Sequence, residues 1–147
     1  MDPSTPAAAD DDVISIIVDI ANVMGARADG WWKDRAGAAA RLCREIATVA
    51  ARGLPPGGID VYPAGKTYWV LVLEGAARRA AELDDLSDAR PAVRLVLAPG
   101  SGDDTIAARA RDLQGQRLVV TADRELRRRC EQAGATVMGP RWLLNML

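Results

Sequence analysis

The chain has 147 residues, a formal net charge of −1 and no histidine, which excludes serine–histidine and cysteine–histidine triads, histidine general bases and histidine-ligated metals. Hydrophobic residues make up 49% and charged residues 27%, the balance of a folded globular domain rather than a disordered chain. Four of the 20 acids (Asp2, Asp10, Asp11, Asp12) fall in the first twelve residues, which hold no base, so the remainder sets 16 acids against 19 bases, a mildly cationic body compatible with a phosphate-bearing partner.

Residues 1–12, rich in Pro, Ala and Asp, are expected to be disordered. They lack the basic-then-apolar pattern of a secretory signal. No apolar run approaches the ~20 residues that cross a bilayer, so a cytoplasmic protein with no membrane partner is expected. VISIIVDI (13–20) is a near-continuous β-branched run, as in a central parallel strand buried on both faces. It ends at Asp19, and ANVMGARADGWW after it reads as a loop. Residues 33–52 form an amphipathic helix with Ala39, Leu42, Cys43, Ile46 and Val49 on one side, stopped by GLPPGG at 53–58. TYWVLVLEG (67–75) is a second buried strand ending at Glu74, with Trp69 in the core; a helix over 76–83 and a polar connector follow.

AVRLVLA (92–98) is a third strand, and GSGDDTIAARARDL (100–113) is loop running into helix. RLVVTAD (117–123) is a fourth strand ending at Asp123, followed by a helix over 124–134 with Gly134 as its C-cap. ATVMG (135–139) is a short fifth strand, and PRWLLNML forms a helix with proline near its start. Trp142 on that helix is expected in the core, and the apolar LLNML is a surface through which a homodimer could form. Cys43 and Cys130 both fall in helices and read as buried, reduced thiols.

Strands alternating with helices at this spacing predict one three-layer α/β domain over residues 13–147, a mostly parallel sheet of about five strands covered by helices. In such sheets function collects beyond the carboxyl ends of the strands. The acids found there are Asp19, with Asn22 just after it; Glu74; Asp103 and Asp104; and Asp123, followed by Glu125. Carboxylates crowded in one crevice raise one another's pKa or bind a cation. Hard oxygen ligands select Mg²⁺ or Mn²⁺, and such an ion activates water and neutralises phosphate charge without histidine. Each acid also has a plainer role: Asp103, Asp104 or Asp123 as a helix N-cap, Glu74 as a solvated strand end. Asp19, interrupting a buried strand, is the hardest to explain without a partner.

These residues resemble a known family. D-x-x-N at Asp19–Asn22 after an apolar strand resembles the opening motif of NYN and YacP-like nucleases, relatives of the PIN domain. DDTIAARA (103–110) is similar to the PIN pattern in which an Asp precedes I-A-A by three positions, which points to Asp103. LVVTADREL (118–126) looks like the last PIN/NYN motif, with Asp123 as its first acid and Glu125 as its second. VLVLEG (70–75) is similar to the acid-ended strand of the YacP-like branch, with Glu74 where Asp is more usual. The resemblance runs from Val13 to about Gly139 and implies a PIN-like fold and a metal-dependent ribonuclease, with Asp19, Asp103 and Asp123 as core catalytic ligands. It leaves Glu74, Asp104, Asn22 and Glu125 as auxiliary ligands or supports. The second acid of many PIN domains has no clear counterpart; Glu45, mid-helix, is the candidate.

Arg124, Arg127, Arg128 and Arg129 beside Asp123, and Lys33, Arg35, Arg41 and Arg44 along the first long helix, are candidate phosphate contacts or simply solvated helix faces. Trp31 and Trp32 are candidates to stack on an unpaired base of single-stranded RNA, or to pack over the core. A haloacid-dehalogenase phosphatase needs D-x-D after the first strand, where Ala21 stands here; a receiver domain needs an acid pair there and a later lysine. Two alternatives stay open: a catalytically weak nucleic-acid- or partner-binding module, and a nucleotide phosphohydrolase using the same metal site.

Overall fold

The computed structural model describes residues 13–54, 66–83 and 93–147. Five strands form one sheet: β1 (Val13–Asp19), β2 (Lys66–Leu73), β3 (Val93–Leu97), β4 (Gln116–Val120) and β5 (Thr136–Met138). They lie in the order β3-β2-β1-β4-β5, with every neighbouring pair parallel. Around them run α1 (Ile20–Gly25), α2 (Arg35–Arg52), α3 (Ala80–Leu83), α4 (Gly102–Asp112), α5 (Arg124–Gln132) and α6 (Pro140–Leu144). The chain works outward from β1 to β3, then returns to lay β4 against the other edge of β1. Strand order therefore reverses between β1 and β4, which opens a crevice at their carboxyl ends.

Alternation along the strands sorts the side chains into two cores. On one face Ile14, Ile16 and Val18 of β1, with Trp69, Leu71 and Leu73 of β2, join Ala39, Leu42, Cys43 and Ile46 of α2. On the other face Ile17, Val70, Val72 and Val119 meet Ile106 and Ala110 of α4 and Leu126 and Cys130 of α5. β1 is buried from Ile14 onward, which is why its sequence is a run rather than an alternation. Trp69 is fully buried, and its indole Nε1 donates to the Thr67 hydroxyl at 2.9 Å, so its one polar atom is satisfied.

Helix ends follow local chemistry. Asp34 caps α2, its carboxylate accepting the Gly37 N–H at 3.0 Å, and Gly53, at φ 89°, ends it. The expected loop over 21–32 opens with the short helix α1, runs irregularly through 26–30 and ends in a 3-10 turn, Trp31–Lys33. The six residues of α1 are too few to display helical periodicity, and Asp19 caps it. Residues expected as a helix over 76–83 divide into a 3-10 turn, Gly75–Arg79, and α3. Leu143 is fully buried, and Leu144, Met146 and Leu147 pack against the same core, so the apolar residues offered as a dimer surface are largely used within the chain. Both cysteines are buried thiols outside any disulfide, and Trp142 packs on the core. Among the described residues no helix is long and apolar enough to cross a membrane. The expectations for residues 1–12, for 55–58 of GLPPGG and for the connector before β3 lie outside the described residues.

Candidate active site

Strand parity assembles the site before any helix contributes. Asp19 shares the face of Ser15 and Ile17. Glu74, whose backbone stays extended, continues the Val70–Val72 row, and Thr121 continues the row of Val119. All three thus end on the face covered by α4 and α5, where the first turn of α4 brings Asp103 and the N-cap of α5 is Asp123.

Asp19 is the centre of this arrangement, with 5% of its surface exposed. One carboxylate oxygen accepts the Asn22 N–H at 3.3 Å, and the other accepts the Thr121 hydroxyl at 3.0 Å. These neutral donors offset only part of the cost of burying the charge. Burial above all, then the charges of Glu74 and Asp103, raise its pKa to about 6. Asp103 is also raised, first by burial and then by Asp123 and Glu74, with Arg129 opposing. Asp19, Glu74, Asp103 and Asp123 therefore share one negative field.

Around Asp19 the supports are specific. The Asn22 side-chain oxygen accepts the Ala122 N–H at 2.9 Å, joining α1 to the end of β4 across the switch point. The Thr121 hydroxyl also accepts the Asp123 N–H at 3.2 Å. Asp123 caps α5 with one oxygen on the Leu126 N–H at 3.0 Å, so its plainer role holds for that oxygen. Glu74 reaches across to α4 and accepts the Gly102 N–H at 2.7 Å. A Cβ at residue 102 would stand 3.1 Å from the Glu74 carboxyl carbon, which favours glycine there.

Other candidates lie differently. The cap of α4 is Ser101, which accepts the Asp103 N–H, so neither Asp103 nor Asp104 serves that purpose. Asp104, 79% exposed, pairs with Arg129 of α5 at 3.1 Å. Glu125 is exposed and paired with Arg128, whose hydrogen bond holds its pKa below the usual range. Glu45 pairs with Arg27 at 2.6 Å. Trp31 is half-buried against the core, with the Arg35 guanidinium 5.5 Å from its ring centre. Trp32 meets it edge-on and is 59% exposed, so Trp32 offers the free ring. Lys33 and Arg35 are exposed beside it, as is Arg124 at the start of α5. Burial raises the Cys130 thiol to about 11, which leaves it protonated and inert at neutral pH.

The residue that sequence reasoning passed over is Thr121. It stood in the T-x-D motif, and its parity with Val119 would have aimed it at Asp19. Thr121→Val keeps the shape and removes the hydroxyl. It is expected to cost about 1–3 kcal/mol and, because that hydrogen bond lowers the Asp19 pKa, to move the acid limb of any Asp19-dependent activity to higher pH. Denaturant unfolding and a pH profile measure the two effects.

Among the described residues, no three His, Cys, Asp or Glu side chains are placed to hold one metal ion together. The donor chemistry nonetheless suits a hard cation: carboxylate oxygens in a shared negative field. Mg²⁺ commonly takes only one or two carboxylates and completes its shell with water.

No family model matches this sequence, and no curated protein matches it. Among solved structures, the chain is similar to the crystal structure of a mutant of Rae1 (YacP) from Bacillus subtilis. The TM-score is 0.62 at 17% identity, over 89% of this chain and 72% of that one. At that identity the likeness is one of fold, and it agrees with the PIN-like architecture that the motifs implied.

Proposed function

We propose that this chain is a divalent-metal-dependent nuclease that hydrolyses RNA phosphodiesters at the carboxylate cluster. The observation that carries the reading is Asp19: a carboxylate buried at the topological switch point, held by neutral donors and surrounded by further acids. Such a group is costly to bury without a cation, and a PIN-like fold with YacP-like motifs supplies the context.

In this reading Asp19, Asp103 and Asp123 are the core ligands and catalytic residues, with Glu74 and Asp104 auxiliary. Mg²⁺ or Mn²⁺, when bound, neutralises charge on the scissile phosphate and makes a bound water more acidic. Thr121 fixes the orientation of Asp19, and Asn22 ties α1 to the strand end beside it. Glu74 holds the first turn of α4, and with it Asp103, over the crevice. Glu125 steadies Arg128. Arg124 and Arg128 are the nearest candidates to grip substrate phosphates, with Lys33, Arg35 and the Trp31–Trp32 pair a second contact region.

A second reading, a nucleic-acid-binding module without turnover, is favoured by the lack of a preformed three-ligand group among the described residues. End-labelled single-stranded RNA and DNA, incubated with Mn²⁺, Mg²⁺ or EDTA, separate the two. The nuclease reading expects RNA cutting that EDTA stops and that Asp19→Asn, purified identically, does not show. Equal cutting by both proteins would mean contamination, and binding without cutting would select the module.

A further inference from the structure

The acid cluster has a cationic cleft on each side. On one side Arg124, Arg127 and Arg128 of α5 line a cleft of about 440 Å³, which Glu131 and Gln132 continue towards the end of that helix. Arg127 is anchored at the site itself: its Nη1 donates to the carbonyl of Thr121 at 3.4 Å, the residue whose hydroxyl holds Asp19. On the other side the 3-10 turn after β2 presents Arg78 and Arg79. With Leu97 at the end of β3 they line a second cleft of about 470 Å³. The Arg78 guanidinium donates to the carbonyls of Gly75 at 3.3 Å and Ala98 at 3.4 Å, which fastens the turn to the end of β3. Arg79 is exposed and makes no hydrogen bond or ion pair with the described residues. Leu97 is 50% exposed, one of two such large apolar side chains among the described residues.

The Arg124 end of the first cleft and the whole of the second stand at the carboxyl-terminal edge of the sheet, because Arg124 follows β4 and the residues of the second follow β2 or end β3. In the order β3-β2-β1-β4, β3 and β4 stand three strand spacings apart, roughly 14 Å at about 4.8 Å each. That is several times the ~3.4 Å by which a stacked strand advances per nucleotide. We propose that a single polynucleotide strand crosses this edge from the Arg78–Arg79–Leu97 cleft to the Arg124–Arg127–Arg128 cleft, with the carboxylates of Asp19, Glu74, Asp103 and Asp123 between them. The substrate is then a strand several nucleotides long, engaged internally rather than by its end. Guanidinium groups pair with phosphates and stack on bases, and Leu97 offers apolar surface to an unstacked base. A duplex would keep its bases inside. The inference rests on the nuclease reading for its cutting step, but the strand path has its own test.

Without divalent cation the central acids repel phosphate, so affinity in EDTA reports the flanks alone. Fluorescence anisotropy with labelled oligouridylates, from a dinucleotide through progressively longer strands, measures it at low salt. Wild-type binding is expected to tighten with length and then level off. Arg79→Glu and Arg124→Glu should each lose about tenfold on long strands and show a shallower salt dependence, with little change on the dinucleotide. Lys66→Glu makes the same charge change on an exposed residue at the start of β2, the opposite sheet edge, and should bind as wild type. Arg79→Glu behaving like Lys66→Glu, or wild-type affinity independent of length, overturns the path. With Mn²⁺, opening of a circular single-stranded RNA supports internal engagement, whereas a circle that survives while its linear form is consumed from an end overturns it. If neither RNA is cut, the nuclease reading fails and the binding series alone decides the path.

Discussion

Asp19→Asn is expected to abolish metal-dependent cutting and, in the same protein, to raise stability at neutral pH. With Asp19 as a principal ligand, as proposed, its loss removes several kcal/mol of stabilisation of the transition state, about a 10²–10³-fold loss of rate. The stability gain follows from the raised pKa. Asp19 binds its proton more tightly in the folded chain, at a pKa of about 6 against an ordinary value of 3.8. Between those values the folded state holds more protons than the unfolded state, so stability falls as pH rises through the window. Above it the ionised carboxylate costs up to about 3 kcal/mol. Asparagine carries no such charge, and its carbonyl can still accept the Asn22 N–H. Allowing about 1 kcal/mol for the rearranged bond to Thr121, the variant should be roughly 1–2 kcal/mol more stable at pH 8. The difference should vanish near pH 4. Thermal unfolding across this range, with and without Mn²⁺, measures it. Mn²⁺ should stabilise the wild type and leave the variant unchanged, and a variant less stable than wild type at pH 8 would remove the basis for treating Asp19 as a strained ligand.

The largest loss of stability is expected at Trp69. Its side chain is fully enclosed between β1, β2 and the helices of the larger core. Truncation to alanine leaves a cavity that β-strand neighbours on a parallel sheet cannot collapse into, and costs about 3–5 kcal/mol. For a domain of this size that lowers the melting temperature by roughly 10–20 °C. Trp69 faces away from the side of the sheet that carries Asp19, so whatever protein remains folded at low temperature should keep its response to Mn²⁺. Trp69→Phe, which retains most of the volume and loses the bond to Thr67, should recover the greater part.

Much of this architecture was legible because burial on both faces writes itself as β-branched runs. VISIIVD, VLVL and LVV mark β1, β2 and β4, and the acids at their ends followed from chain order alone. What periodicity could not reveal were features of a single turn. The helix α1 is too short to repeat, although Asp19 three residues before Asn22 is the spacing of a cap. Asp103 and Asp104 are neighbours in sequence, yet a helix turns about 100° per residue, and Arg129 takes Asp104 while the crevice keeps Asp103. Trp31 and Trp32 are divided in the same way, one against the core and one towards water. Arg78 and Arg79 fall within the helix expected over 76–83, and only the sheet order shows that their turn stands beside the strand ends of the site.

Sheet order also governs how the molecule must come together. β1 pairs with β2 some fifty residues later and with β4 about a hundred residues later, so its central place is filled by two long-range closures. Such topology belongs to the slower-folding range of small domains. During synthesis, the strand VISIIVD emerges first and waits with one apolar edge open until β4 arrives, an interval in which edge-to-edge association competes with folding. The same delay means that a nascent chain ending short of Thr121 contains Asp19 but no site, so any cutting activity could begin only after the second half of the domain is made.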